Sequence, residues 1–218
     1  MTTKAASPPI AASGPSNPIT RMDSASTEQW RELGAVQRGS SPADRVIEAL
    51  RCLDKVKLGF PVSQLTHCLQ TATRAERAGA DTDMVIGSLC HDVGKVLPGT
   101  DHAAIAGQML RPYVRPEVAE VIRAHWAFQL RYTSPSIPGS SPEMRQRYRR
   151  KPWYPLAEQF ADLWDQASFD PDYDTFPLEH FEDRIREVFG RPRREPARAG
   201  MRGRARRAAS RLKSRIGV

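Results

Sequence analysis

A chain of 218 residues is long enough for one well-filled domain, and no stretch approaches the ~20 apolar residues that span a bilayer. Its net charge of +8 is uneven: residues 191–218 carry eleven Lys/Arg and one Glu, whereas the remainder carries 22 basic and 24 acidic residues. These features exclude a membrane-spanning protein and disfavour a basic nucleic-acid-binding domain. The basic tail is predicted to make at most weak contact with a polyanion.

The three cysteines, Cys52, Cys68 and Cys90, each lie inside an apolar helical pattern. An odd number of cysteines at such positions argues against a disulfide framework. The N-terminus also lacks the apolar run of a secretion signal. We therefore predict that the three cysteines are small core residues and that the protein is cytoplasmic.

Composition divides the chain into three parts. Residues 1–40 are rich in Ala, Ser, Pro and Thr without periodicity, which is typical of a disordered leader. Residues 41–192 show helical periodicity and form the predicted domain. Residues 193–218 form a basic tail that we expect to be disordered.

Periodicity and capping residues predict an all-α domain without strands. Ser41 and Pro42 supply an N-cap and a proline at the first helical position, so a helix begins here and ends near Lys55. Further helices are predicted over residues 63–79, 82–97, 102–111, 116–128, 143–150, 155–167 and 178–189. Residues 133–142 are predicted to form a loop.

Four of the five histidines fall between residues 67 and 125. His67 belongs to the segment 60–73, which contains no Asp, Glu, Lys or Arg, so we expect it to face a polar surface inside the protein. A hydrogen-bonded core histidine would show the same pattern. His91 and Asp92 lie opposite the apolar stripe of their helix, where they either bind a metal ion or form a solvated face.

Two later histidines add to this set. His102 follows the Asp101 cap in the first turn of a helix, where the helix dipole disfavours imidazolium. His125 takes the next position of an apolar stripe that includes Val118 and Ile122. Its ring therefore needs a partner inside the protein, which is a metal ion, a carboxylate or a backbone carbonyl.

Three acidic residues share one face of a later predicted helix: Glu158, Asp162 and Asp165. Their spacing of i, i+4 and i+7 is usual for a solvated edge. Periodicity cannot choose among them as metal ligands.

Taken in order, these histidines and acids resemble the HD superfamily. The segment SQLTHCLQTATRAERAGADTDMVIGSLCHDVGK is similar to the branch that contains the organophosphonate-cleaving di-iron oxygenases, and the similarity covers roughly residues 44–190. It includes Leu163-Trp164-Asp165, which matches the late aspartate motif of the family and selects Asp165 from the three acids. The resemblance implies a single HD-domain helical bundle.

The resemblance also implies two metal sites that share one aspartate. His67, His91, Asp92 and Asp165 would hold one ion, and Asp92, His102 and His125 would hold the other. The mononuclear phosphohydrolase branch does not need the two later histidines, so their presence favours a dinuclear site. Six N/O ligands suit two iron ions in a mixed-valence pair, with manganese or another divalent ion as the alternative.

The chain departs from the phosphonate oxygenases on both sides of the histidine set. Seven residues before the first metal histidine, those enzymes carry an acidic residue, whereas this chain has Phe60. The lysine that follows their fourth histidine is absent here. Gln129, Arg131 and Tyr132, about one turn beyond His125, are candidates for substrate contact.

Three functions are consistent with this set of residues, and the first is preferred. It is a di-iron oxygenase that cleaves a C–X bond of a small polar substrate. The second is a phosphohydrolase acting on a phosphomonoester or nucleotide, in which Lys95 stabilises developing charge; many HD phosphohydrolases share this lysine. The third is a non-catalytic module that binds a small ligand. The sequence makes no prediction of oligomeric state.

Overall fold

The computed structural model describes residues 18–39, 41–99 and 101–192. These residues form helices and turns without any strand, which confirms the predicted all-α domain. No helix among them is long and apolar enough to cross a membrane. The predictions for residues 1–17 and for the basic tail 193–218 lie outside the described residues.

Eight α-helices occur in the described part of the chain: α1 (Thr27–Gly39), α2 (Pro42–Cys52), α3 (Gln64–Arg77), α4 (Thr82–Cys90), α5 (His102–Leu110), α6 (Pro116–Thr133), α7 (Tyr154–Gln159) and α8 (Leu178–Gly190). Short 3-10 segments cover Leu53–Lys55, Val93–Val96 and Pro142–Tyr148, and a π-helical turn covers Phe160–Asp165. The N-caps of α2, α3, α4 and α5 are Ser41, Ser63, Asp81 and Asp101, whose side chains each accept a backbone N–H.

The core lies between α2, α3, α4, α6 and α8, and it is filled by aromatic and aliphatic side chains. Its largest fully buried members include Phe128, Phe160, Phe181 and Phe189. Helix α5 packs closely on α6 at Gly107: a Cβ added at this residue would lie only 2.6 Å from the Cβ of Arg123. The long helix α6 therefore contacts both the core and the elements that carry the candidate site.

Part of the predicted disordered leader is helical. Helix α1 occupies Thr27–Gly39, and a reciprocal cap fixes its start: Ser26 N donates to Gln29 Oε1 at 2.8 Å, and Gln29 N donates to Ser26 Oγ at 3.2 Å. This capping box is visible in the sequence as Ser-Thr-Glu-Gln. The average composition of residues 1–40 obscured it.

The predicted helix over residues 82–97 is interrupted. Helix α4 ends at Cys90, Asp92 has φ −104° and ψ 9°, and a 3-10 turn follows over Val93–Val96. The apolar stripe continues through the break because Val93 is buried on the core side. Periodicity alone therefore could not locate the interruption.

Four smaller differences concern element bounds, helix type and burial. Helix α6 continues to Thr133, beyond the predicted end at residue 128, and the segment predicted over 143–150 is a 3-10 rather than an α-helix. The predicted helix 155–167 divides into α7 and the π-helical turn. Cys52, at the end of α2, is exposed and not a core residue, whereas Cys68 and Cys90 are buried as free thiols.

Candidate metal centre

Three fully buried histidines direct their Nε2 atoms into one region between α3, α4 and α6. Nδ1 of His67 lies 2.8 Å from the carbonyl oxygen of Ser168, Nδ1 of His91 lies 2.8 Å from that of Ser88, and Nδ1 of His125 lies 2.7 Å from that of Ile122. A carbonyl only accepts, so each Nδ1 donates its proton to the backbone and each Nε2 is the ring nitrogen directed into the shared region, where a metal ion could replace a proton. Backbone carbonyls orient metal-binding histidines in this way.

The first group of donor atoms comes from His67, His91 and Asp165. The two Nε2 atoms are 3.1 Å apart, and Oδ1 of Asp165 lies 3.1 Å from His67 Nε2 and 3.5 Å from His91 Nε2. All three side chains are completely buried. Two imidazole lone pairs at this separation repel each other unless a proton or a metal cation lies between them.

Asp92 connects this group to a second one. Its Oδ2 lies 3.5 Å from His67 Nε2 and 3.3 Å from His91 Nε2. Its Oδ1 lies 3.3 Å from His102 Nε2 and 3.5 Å from His125 Nε2. Each carboxylate oxygen thus faces a different pair of imidazoles, which is the arrangement that a carboxylate bridging two ions requires.

The donor atoms fit metal ions in both spacing and hydrogen bonding. Ligand atoms about 2.1 Å from an ion lie about 3.0–3.4 Å from one another. Although buried, four atoms make no hydrogen bond: Asp92 Oδ1, Asp165 Oδ1, His102 Nε2 and His125 Nε2. Buried polar atoms usually have a hydrogen-bond partner. Four potential metal-ligating atoms without such a partner at one site therefore indicate metal binding. Two groups could each hold an ion, His67/His91/Asp165 and His91/Asp92/His125.

The electrostatics of the centre favour added positive charge. Burial alone would lower the pKa of His91, but the carboxylates of Asp92 and Asp165 raise it well above its usual range. Burial would raise the pKa of each aspartate, but the neighbouring imidazoles lower both. Burial lowers the pKa of His102 to about 4, so this ring is neutral near pH 7 and its lone pair is available to a cation.

The π-helical turn determines which acid reaches the centre. Gln166 N donates to the carbonyl of Ala161 at 3.2 Å, an i to i+5 bond that rotates the end of the turn. Asp165 is completely buried there, whereas Asp162 forms an ion pair of 2.7 Å with Arg145, which also lies 3.9 Å from Glu158. Of the three acids, the structure brings only Asp165 to the histidines.

Lys95 lies beside the shared aspartate, and it brings in a residue that the sequence analysis missed. Its Nζ is 2.5 Å from Asp92 Oδ2 and 3.0 Å from Oε1 of Gln64, a completely buried residue in the first turn of α3. Gln64 precedes His67 by three residues and therefore shares its helix face. The three-residue spacing from His67 was the signal in the sequence that pointed to Gln64.

The three predicted substrate residues differ in placement. Gln129 Nε2 donates to Asp165 Oδ2 at 2.6 Å, so it contacts a candidate ligand. Arg131 and Tyr132 direct their polar groups to Asp162, at 3.5 and 3.0 Å, and contact none of the candidate ligands. Phe60 is half exposed and stacks on Phe169, whose ring in turn stacks on His67 with centroids 4.2 Å apart.

The thiols are not part of the donor set. Burial raises the pKa of Cys68 and of Cys90, which keeps both protonated. The candidate ligands in the described residues are therefore nitrogen and oxygen atoms only. Such a set suits iron, manganese and similar divalent ions.

Comparison with protein families matches residues 65–170 to the HD domain. This segment runs from the start of α3 past the π-helical turn, so it contains every candidate metal ligand named above. The match supports the HD superfamily predicted from the sequence, and a metal-dependent enzyme of the hydrolase type is typical of that domain. Comparison with curated proteins gives no match.

Proposed function

We propose that this chain is a metal-dependent phosphohydrolase of the HD superfamily in which two ions share Asp92. The observation that carries the proposal is the division of the Asp92 carboxylate, with Oδ2 facing His67 and His91 and Oδ1 facing His102 and His125. Two divalent ions held in this way would activate a water molecule and polarise the phosphoryl group of a small phosphate ester.

Lys95 supports phosphate as the substrate group. Its side chain is 19% exposed, while that of Asp92 beside it is fully buried, so Lys95 lies at the edge of the centre. Two of its three N–H donors meet Asp92 and Gln64, which leaves one donor for an oxygen atom of a bound anion. A cation at this position would stabilise the negative charge that develops during phosphoryl transfer.

A mixed-valence di-iron oxygenase is the second candidate, and it was the preferred prediction from the sequence. His102 and His125 at the second oxygen of Asp92 support it, because they complete a six-residue N/O ligand set suited to iron. We rank it second because Lys95, shared with HD phosphohydrolases, directly contacts Oδ2 of the proposed bridging carboxylate. A bound iron pair would supply the oxygen chemistry in that case.

Metal analysis and a phosphate-release assay on the manganese-loaded protein test the proposal. We expect two ions per chain, and we expect the protein to hydrolyse a small phosphomonoester even when O₂ is excluded from the assay. His125→Ala should lower the metal content to about one ion and reduce kcat by at least about a hundredfold. His180→Ala is the matched control, because this partly exposed histidine pairs with Glu76 away from the centre.

Each alternative function gives a different result. A coupled Fe(II)/Fe(III) signal in the electron paramagnetic resonance spectrum of ascorbate-treated iron protein, with no phosphate release, would favour the oxygenase. Phosphate release unaffected in both His102→Ala and His125→Ala would contradict the dinuclear mechanism. Ligand binding without turnover under any metal would indicate a non-catalytic module.

A further inference from the structure

Gln64 is a buried polar side chain at the edge of the candidate metal centre. It is the first residue of α3, where its backbone N–H donates to the carbonyl of Val56 at 3.0 Å. The preceding N-cap, Ser63, donates its hydroxyl to Asp54 at 2.9 Å, which fixes the start of the helix. The backbone of Gln64 is therefore held in place where the preceding loop joins the helix.

Lys95 determines how this amide is oriented. The ammonium group only donates, so the Gln64 atom 3.0 Å from Lys95 Nζ must be the carbonyl oxygen Oε1. The amide nitrogen Nε2 then has no acceptor among the described residues, although it is completely buried. A buried N–H pair without an acceptor is uncommon and indicates a binding partner for it.

Lys95 Nζ, which contacts Gln64, lies beside the Asp92 oxygen that faces His67 and His91. Lys95 Nζ is 2.5 Å from Asp92 Oδ2, and that oxygen is 3.3 Å from His91 Nε2. Lys95 retains one free N–H donor, and Gln64 Nε2 retains two. The pair thus combines a cationic and a neutral donor at one edge of the centre.

We propose that Gln64 Nε2 and Lys95 Nζ together bind an oxygen atom of a phosphate group held at the metal centre. The inference rests on the proposed function and extends it by naming a substrate-binding residue. A phosphate carries several acceptor oxygens, so one can face the ions while another meets this donor pair. Gln64 then has two roles, because Oε1 orients Lys95 and Nε2 contacts the substrate.

Two substitutions separate these roles. Gln64→Glu retains an acceptor for Lys95 but replaces the amide donor with a carboxylate oxygen that repels phosphate. Gln64→Leu removes both groups at similar volume. Gln70→Leu is the matched control, because Gln70 is a buried glutamine on the same helix that donates to the carbonyl of Asp170.

The experiment measures inorganic phosphate binding to the manganese-loaded full chain by calorimetry, with the metal content of every variant determined in parallel. We expect the phosphate Kd to increase about tenfold in Gln64→Leu, the loss of one hydrogen bond to a charged group, and at least as much in Gln64→Glu. Metal content should stay at the wild-type value, and Gln70→Leu should bind phosphate normally.

Four results would overturn the inference. A wild-type phosphate Kd in Gln64→Glu would mean that Gln64 only positions Lys95. A wild-type phosphate Kd in Gln64→Leu would mean that Gln64 neither positions Lys95 nor contacts the phosphate. Metal loss in both variants would assign Gln64 to the metal centre itself. A metal-loaded wild-type protein that binds no phosphate would also exclude the donor pair. Phosphate binding that depends on Gln64 without ester hydrolysis would support the inference while contradicting the proposed function.

Discussion

Hydrogen bonds to the far side of four candidate ligands orient the metal centre at the level of single residues. His67, His91 and His125 donate Nδ1–H to backbone carbonyls, and Asp165 accepts from Gln129 through Oδ2, which leaves Oδ1 free toward His67. These outer contacts fix the direction of each lone pair. They also allow one group of donor atoms to be altered without changing the ligands themselves.

Gln129→Leu should weaken the metal group that contains Asp165. Without the 2.6 Å bond from Gln129 Nε2, the carboxylate can rotate, and we expect metal affinity at this group to fall about 10- to 100-fold. Competition with a chelator measures this change on the manganese-loaded protein. Gln166→Leu is the control, because Gln166 is exposed and donates to the carbonyl of Asp162. Equal affinity in the two variants would contradict a role for Gln129 at Asp165.

The sequence identified some of these residues for physical reasons and missed others. His125 was recognisable because an imidazole interrupts an apolar stripe, and it is completely buried in α6. Asp165 could be chosen only through the family resemblance, because regular α-helical spacing places it beside Asp162. Gln64 carries no charge, and its three-residue spacing from His67 indicates only a shared helix face, so its burial and its contact with Lys95 were visible only in three dimensions.

Two departures from regular α-helix position ligands at the level of elements. The chain leaves α4 after Cys90, so that Asp92 lies between both pairs of histidines, and the π-helical turn brings Asp165 inward. Helix boundaries with clear caps, such as those at Ser41, Ser63 and Asp81, were predicted well because a side chain marks them. The irregular turns were not predicted, since tertiary contacts select them.

Gly94→Ala should disturb the second metal group through one such contact. A Cβ at residue 94 would lie 2.6 Å from both Cα and the carbonyl oxygen of His102, so the start of α5 would have to move. We expect a loss of about 1–3 kcal/mol in the free energy of unfolding and of about one metal ion per chain. Urea unfolding and metal analysis measure these effects.

Gly190→Ala provides the control for Gly94→Ala. Neither glycine has a positive φ, and a Cβ at Gly190 meets no atom within 4 Å, so the two substitutions differ in contact rather than in backbone strain. Gly190→Ala should keep both ions and its stability. If Gly94→Ala also kept both ions, the approach of the 3-10 turn to α5 would not be what positions His102.

At the scale of the whole molecule, the candidate centre joins elements that are distant in sequence. Its ligands come from α3, the turn after α4, α5, α6 and the π-helical turn, and the hydrogen bond from His67 to Ser168 spans 101 residues. The described core also contains several buried polar groups around this centre, with unpaired atoms on Asp92, Asp165, His102 and His125. Bound ions would satisfy these atoms and stabilise the native state of the entire domain.

Removal of metal should therefore lower the thermal stability of the protein globally. One ion at a hundredfold excess over its Kd stabilises the native state by about 2.7 kcal/mol, and for a domain of this size that corresponds to roughly 5–10 °C in Tm. Scanning calorimetry before and after chelation measures the shift, and added manganese should restore it. Asp92→Asn is expected to show little response to the chelator, because it weakens both groups of ligands at once. A wild-type Tm that stays constant while the measured metal content falls would contradict a centre that joins these helices.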